Sequence, residues 1–193
     1  MALGNNSGGG RKFITIVGGK WTLRVSEDTA GATARKLTSG PNEGSEVHEL
    51  YYDHIDGMIV GGEIKYGKFG TDICIDLDDE GESFTVQIPL QSSYFSVLAK
   101  VCPSIDVSKK IFLGLGYDKE KNRNFLYVKQ DDKTIHACFT KADPNGMPEA
   151  FKELVMGKEK WNKQGHCNAN EVAAQFDRAS KFVTEYKWEV EYA

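Results

Sequence analysis

The side chains best able to do chemistry in this chain are its four cysteines (Cys74, Cys102, Cys138, Cys167), its four histidines (His48, His54, His136, His166) and a run of acids. No two cysteines stand as Cys-x-x-Cys, which suits reduced thiols in a cytoplasm better than a disulfide framework. His136, Cys138, His166 and Cys167 would make a Cys₂His₂ set only if the tail folded back over the strand before it, at a spacing unusual for structural zinc. The run DLDDEG (76–81) resembles half of a calcium loop, but Glu80 takes the fifth place and Gln87 the twelfth, where a bidentate Glu is wanted. Asp72, Asp76 and Asp78 could hold metal ions in a nuclease, yet no second catalytic cluster accompanies them. A solvated hairpin turn accounts for these acids more simply.

Phosphate loops fail in the same way. Gly114-Leu115-Gly116 is followed by Tyr117, Asp118 and Lys119 and then by another strand, so it opens no helix. Gly19-Lys20 ends like a nucleotide-binding loop, but Ile14 stands where the first glycine belongs and Trp21 where Ser or Thr belongs. Neither Gly-x-Ser-x-Gly nor His-Glu-x-x-His occurs. The expectation is a protein that is not an enzyme, with no cofactor and no metal.

What remains is aromatic residues interleaved with bases. YGKFG (66–70) offers Tyr66, Lys68 and Phe69 between glycines, just after Lys65. KKIFLGLGYDKEKNRNFLYVKQ (109–130) offers Tyr117, Lys121 and Arg123, then Phe125, Tyr127 and Lys129 on one strand face. Trp21 and Arg24 join them from the N-terminal part. Single-stranded nucleic acid is held by bases lying on aromatic faces and by cations along the phosphates, so these are the candidate nucleic-acid-binding residues. The opposite arrangement would turn Phe125 and Tyr127 into the core and Leu126 and Val128 outward.

The elements that must position these side chains are mostly strands. FITIV (13–17) and KWTLRV (20–25) flank Gly18-Gly19 as a hairpin. Residues 26–46 have few large apolar side chains and read as a mobile loop, after which VHELYYDHIDG (47–57) reads as another strand. MIVGGEIKY (58–66) is a strand whose paired glycines permit a bulge or bend. TDICIDL (71–77) and SFTVQIPL (83–90) alternate strictly. SSYFSVLAKVC changes to helical spacing, with Ser92 or Ser93 as cap and Pro103 beyond its end. Three more strands follow, at 109–117, 124–130 and 133–141. NANEVAAQFDRASKFVTEYKW is a helix with Asn168 and Glu171 as a capping box and a stripe through Val172, Phe176, Ala179, Phe182 and Val183.

Strand, strand, strand, helix, strand, strand is the order of the OB-fold, a five-stranded barrel with its helix between strands three and four. The fold class expected is therefore mainly β. It has a flexible leader at 1–11, a β-hairpin extension with a mobile loop at 12–56 and an OB-fold core at 57–145. A connecting segment at 146–167 leads to a C-terminal helix at 168–193.

The chain of 193 residues is 40% hydrophobic and carries a net charge of −4. That balance is unusual for a nucleic-acid binder, but it is unevenly spread: residues 72–82 hold six acids and no base, residues 109–133 seven bases and four acids. A basic face can coexist with an acidic total. No apolar run approaches the roughly 18 residues of a membrane span, so no membrane partner is expected.

The segments FITIVGGKWTLRV, ELYYDHIDGMIVGGEIKYGKFGTDICIDL, KKIFLGLGYDKEKNRNFLYVKQD and FTKADPNGMPEAF, in that order, resemble the OB-fold single-stranded-DNA-binding proteins of tailed bacteriophages over residues 13–165. The resemblance implies a non-catalytic protein that coats unwound DNA during phage replication or recombination, in the cytoplasm of the infected bacterial host. It also implies single-stranded DNA as partner. The stripe of the C-terminal helix either packs back on the barrel, the commoner use of such a stripe, or docks on a partner, a replication protein or a second copy. A protein-interaction or virion component built on the same barrel is the alternative.

Overall fold

The computed structural model describes residues 11–68, 70–137 and 167–179, and the backbone of 152–155 and 158–161. The strands are β1 (Lys12–Val17), β2 (Lys20–Val25), β3 (Thr33–Lys36), β4 (Glu46–Tyr52), β5 (His54–Gly67), β6 (Gly70–Asp79), β7 (Glu82–Pro89), β8 (Lys110–Asp118), β9 (Arg123–Gln130) and β10 (Lys133–Thr134). They form one ten-stranded sheet in the order β10-β9-β8-β5-β6-β7-β1-β2-β4-β3. A separate hairpin joins β11 (Lys152–Val155) to β12 (Lys158–Trp161). Helix α1 (Ser93–Val101) runs into a 3₁₀ turn (Cys102–Ser104), and α2 covers 169–179. The protein is mainly β.

Strict alternation builds the core. Ile73, Ile75 and Leu77 of β6 and Phe84, Val86 and Ile88 of β7 are buried, and they meet Ile111 and Leu113 of β8 and Leu126 and Val128 of β9 in one cluster. Strand β5 serves two neighbours: its first residues pair with β8 (His54 opposite Gly114, Met58 opposite Lys110), and the rest pairs with β6. The register slips between Ile59 and Gly61, a bulge that bends β5 so that one strand can do both.

Helix α1 starts where Ser92 Oγ accepts the Phe95 N–H at 3.1 Å, and buries Phe95, Leu98, Ala99 and Val101. Helix α2 opens on a reciprocal box: Asn168 N–H donates to Glu171 Oε2 and Glu171 N–H to Asn168 Oδ1, each at 2.8 Å. Its Ala169, Val172, Phe176 and Ala179 enter the same core as the strands. The approach depends on Gly62, where an added Cβ would come within 2.5 Å of Phe176 Cβ. Burying a ring such as that of Phe176 contributes about 2–3 kcal/mol.

The structure departs from the sequence expectation at several points. The sheet is not closed among the described residues: the edge of β7 is taken by β1 in parallel (Lys12 beside Phe84, Ile14 beside Val86), so β7 does not pair with β9. A paired edge has no free backbone groups to offer a second strand. The stretch 12–56 holds the strand expected at VHELYYDHIDG as β4, but more besides. Its supposed loop contains β3, which pairs with β4; across that pair Arg35 reaches Glu49 with two hydrogen bonds, Nε to Oε2 at 2.8 Å and a terminal nitrogen to Oε1 at 2.7 Å. Of the strand expected at 133–141, only Lys133–Thr134 is extended among residues 133–137. By contrast, the stripe on the C-terminal helix packs back on the core, the more frequent of its two expected uses, as far as Ala179, and its remainder lies outside the described residues.

Candidate nucleic-acid interface

In β9 the alternation turns Leu126 (2% exposed) and Val128 (1%) inward, and Arg123, Phe125, Tyr127 and Lys129 outward, with Phe125 37% exposed. Opposite them on β8 the outward positions are Phe112, Gly114 and Gly116: Phe112 pairs with Lys129, Gly114 with Tyr127 and Gly116 with Phe125. The two glycines are what let the rings lie down. A Cβ on Gly116 would stand 2.6 Å from Phe125 Cζ, and one on Gly114 would overlap the Tyr127 ring. Each ring covers the bare backbone of the next strand, a known way of protecting strand glycines.

The row continues across β5. The His54 ring stacks on Phe112 at 4.6 Å between centroids and 16° between planes, Phe112 lies 5.9 Å from Tyr127, and Tyr127 lies 6.2 Å from Phe125. Lys129 Nζ sits 5.4 Å from the Phe112 centroid and 5.5 Å from that of Tyr127, within cation–π range. Arg123 lies on the same outward side at the far end of β9. Both cations make no ion pair among the described residues. Nearby lysines are otherwise engaged: Lys109 with Asp131 at 2.6 Å, and Lys110 with Asp79 at 2.6 Å and Asp56 at 3.0 Å, the hydrogen bonds that raise its pKa.

The β8–β9 turn is tied down by Asp118, which accepts the backbone N–H of Lys121 and Glu120 at 3.1 Å each and lies 3.6 Å from Lys121 Nζ. Those amides, that of Lys121 first, hold the Asp118 carboxyl below its usual range. Lys121 is thus exposed but half committed.

Two expected contacts are misplaced. Trp21 is fully buried (0% exposed) and its Nε1–H donates to Leu113 O at 3.0 Å. Residues 21 and 24 are an odd number apart on one strand and point to opposite faces; only Arg24 is outside, 3.9 Å from Glu49. Tyr117 is 54% exposed but pairs with Asn124, so it projects to the side opposite Phe125 and Tyr127. There it borders a cleft of about 540 Å³, shared with the Gly18-Gly19 turn, Asn124 and the Lys20–Asp53 ion pair.

Lys65, Tyr66 and Lys68 belong to a different place. Twelve residue steps of β5 separate His54 from Tyr66, on the order of 40 Å of strand before its bend. Tyr66 is 78% exposed at the hairpin tip, and Lys65 lies over the Phe13 ring at 4.9 Å, with Lys68 exposed beside them. Phe69 lies outside the described residues, as do Cys138 and His166. Phe112 and His54 were not among the sequence candidates. Phe112 could have been found, since it stands two residues before Gly114 on the same alternation; the place of His54 depends on the β5–β8 register.

The outward side of β6 is of opposite character. Asp72, Cys74, Asp76 and Asp78 alternate there. Arg11 pairs with Asp76, Thr85 Oγ1 donates to Asp76 at 2.7 Å, and Ser83 Oγ and Gly81 N–H donate to Asp78 at 2.9 and 3.1 Å. Burial raises the Asp72 carboxyl, and Lys65 opposes it. No group of three or more potential ligands capable of holding a metal occurs among the described residues. No helix among them is long and apolar enough to cross a membrane. No family model, curated protein or solved structure matches the chain.

Proposed function

We propose that the protein binds single-stranded DNA with little sequence preference, laying unpaired bases on the His54–Phe112–Tyr127–Phe125 row while Lys129 and Arg123 take phosphates. The observation that carries this reading is the row itself: outward rings held down over Gly114 and Gly116, flanked along β9 by Arg123 and Lys129, neither of which has a carboxylate partner among the described residues. Stacking of this kind is worth about 1–3 kcal/mol per base and works for every base. Arg24, Tyr66, Lys65, Lys68 and Lys121 are exposed and serve as outlying contacts for a longer strand.

On this reading β5 to β9 with α1 are an OB-type unit, β5 being its long bent first strand and β1 occupying the edge that closure would use. By its resemblance to the phage proteins, the work is that of a coat on unwound DNA in replication or recombination within an infected bacterium. Titration of the full chain with oligo-dT at low and high salt tests the proposal. Binding at low salt that weakens steeply as salt rises is the expected result, because cations displaced from phosphates return. No binding at low salt, or binding indifferent to salt, would remove it.

A further inference from the structure

Two of the cysteines meet, although they are far apart in sequence. Cys102 closes α1: its N–H donates to Leu98 O, and its side chain is buried at 1% exposure. Cys167 stands at the entrance to α2 and is half-buried against the core. Its backbone N–H donates to Ala99 O at 3.0 Å, filling one of the carbonyls that the end of α1 leaves open. The next residue, Asn168, is fixed by the capping box. The chain at 167 is therefore pinned to α1 on one side and to α2 on the other, and the Cys167 side chain packs against the core cluster that contains Cys102.

We propose that Cys102 and Cys167 are a reversible disulfide site that takes a low-molecular-weight disulfide, such as oxidised glutathione, as its oxidant, with Cys167 attacking and Cys102 resolving. The roles follow from access. Cys102 is sealed in the core, so only the half-buried Cys167 can meet a reagent from solvent. The neighbouring Cys102 thiol also lowers the Cys167 pKa, against burial and the charge of Glu171, while Cys167 and burial push Cys102 up. The thiolate is the reactive form, so this asymmetry favours attack by Cys167.

In the first step the Cys167 thiolate forms a bond to one sulfur of oxidised glutathione, the glutathione S–S bond breaks, and one glutathione thiolate leaves and is protonated. In the second, Cys102 attacks Cys167 Sγ, the mixed disulfide breaks, and the second glutathione leaves with the proton that Cys102 gives up. Two protein thiols are oxidised and one glutathione disulfide is reduced to two thiols. The new bond encloses residues 102–167, and with them β8 and β9. A ring of that length raises the unfolding midpoint by roughly 10 °C for a chain of this size.

The test is independent of DNA binding. The reduced full chain is equilibrated under native conditions with a glutathione redox buffer, quenched with acid, and read by intact mass and peptide mapping. The expected result is loss of two hydrogens and a peptide joining Cys102 to Cys167, with a matching rise in melting temperature. Cys102→Ala, which keeps the buried position small and apolar, is expected to retain glutathione on Cys167. Cys167→Ser is expected to leave Cys102 unmodified while the protein is folded. Glutathione retained on Cys167 in the unmutated chain, a cross-link through Cys74 or Cys138 instead, or thiols unchanged at oxidising poise would overturn the proposal.

Discussion

The outward sides of β6 and of β9 are built by the same rule and end up opposed. Each strand alternates strictly and sends every second residue away from the core. On β6 those residues are Asp72, Asp76 and Asp78, with Cys74 between them covered by its neighbours and buried, and two of the acids are consumed by neighbours: Arg11 and Thr85 at Asp76, Ser83 and the Gly81 amide at Asp78. On β9 they are Arg123, Phe125, Tyr127 and Lys129, whose rings have flat faces and whose cations lack carboxylate partners among the described residues. The alternation decides which side chains are outside. Only their unused valence decides what the outside can hold, and a polyanion finds it on β9.

The contrast breaks most severely if the rings go. Phe125→Ala combined with Tyr127→Ala is expected to weaken oligo-dT binding on the order of 100-fold, about 1–3 kcal/mol for each base left without a platform. The rings lie 6.2 Å apart, so the two losses need not add. A melting curve beside the titration separates lost stacking from lost folding, and unchanged affinity in a folded double variant would end the platform idea. Next in size is Gly114→Ala. It leaves every ring in place chemically, but its Cβ must displace Tyr127. About a tenfold loss of affinity is expected, with overpacking costing about 1–3 kcal/mol of stability in a denaturant titration.

Much of this was readable in the residues. The inward and outward sets of β6 and β7 follow from period-two patterns, which for β9 gave the two sets but not which one faces the core, and both helix starts follow from Ser92 and from Asn168 with Glu171. These are local signals. Pairings between distant strands left none: nothing in Lys12 to Ile14 announces a parallel partner in Phe84 to Val86, and nothing local in Thr33–Lys36 announces β4, against which it pairs with Arg35 bonded to Glu49. Trp21 was misjudged although its parity with Arg24 was visible, because an aromatic beside bases suggests a surface until a buried acceptor such as Leu113 O is known. The meeting of Cys102 and Cys167 required the position of α2, which Gly62 sets by admitting Phe176.

Smaller changes sharpen the contrast between the faces. Arg123→Ala and Lys129→Ala should each weaken binding a few-fold at moderate salt. Each should also reduce the slope of log affinity against log salt by about 0.7, the value for one phosphate contact on a single strand. An unchanged slope would mean that the phosphates run elsewhere.

Asp72→Asn asks whether they run across β6. With an oligo-dT too short to leave the β8–β9 side, removing this screened charge, which lies across from Lys65 rather than beside the ring row, changes affinity by less than about twofold; a several-fold gain would place the strand over the acidic side instead. The same variant has a stability readout of known sign. Burial raises the Asp72 carboxyl, so folding disfavours its charged form. The penalty is absent below the ordinary carboxyl value, grows as pH rises through the folded value and is complete above it. Asn carries no such penalty. The variant should therefore be slightly the more stable form at neutral pH, by under about 1 kcal/mol for a partly exposed group, and the advantage should vanish in acid. Equal melting at both pH values would mean that Asp72 is as well hydrated folded as unfolded, and that the acids of β6 are as available to solvent as the rings of β9.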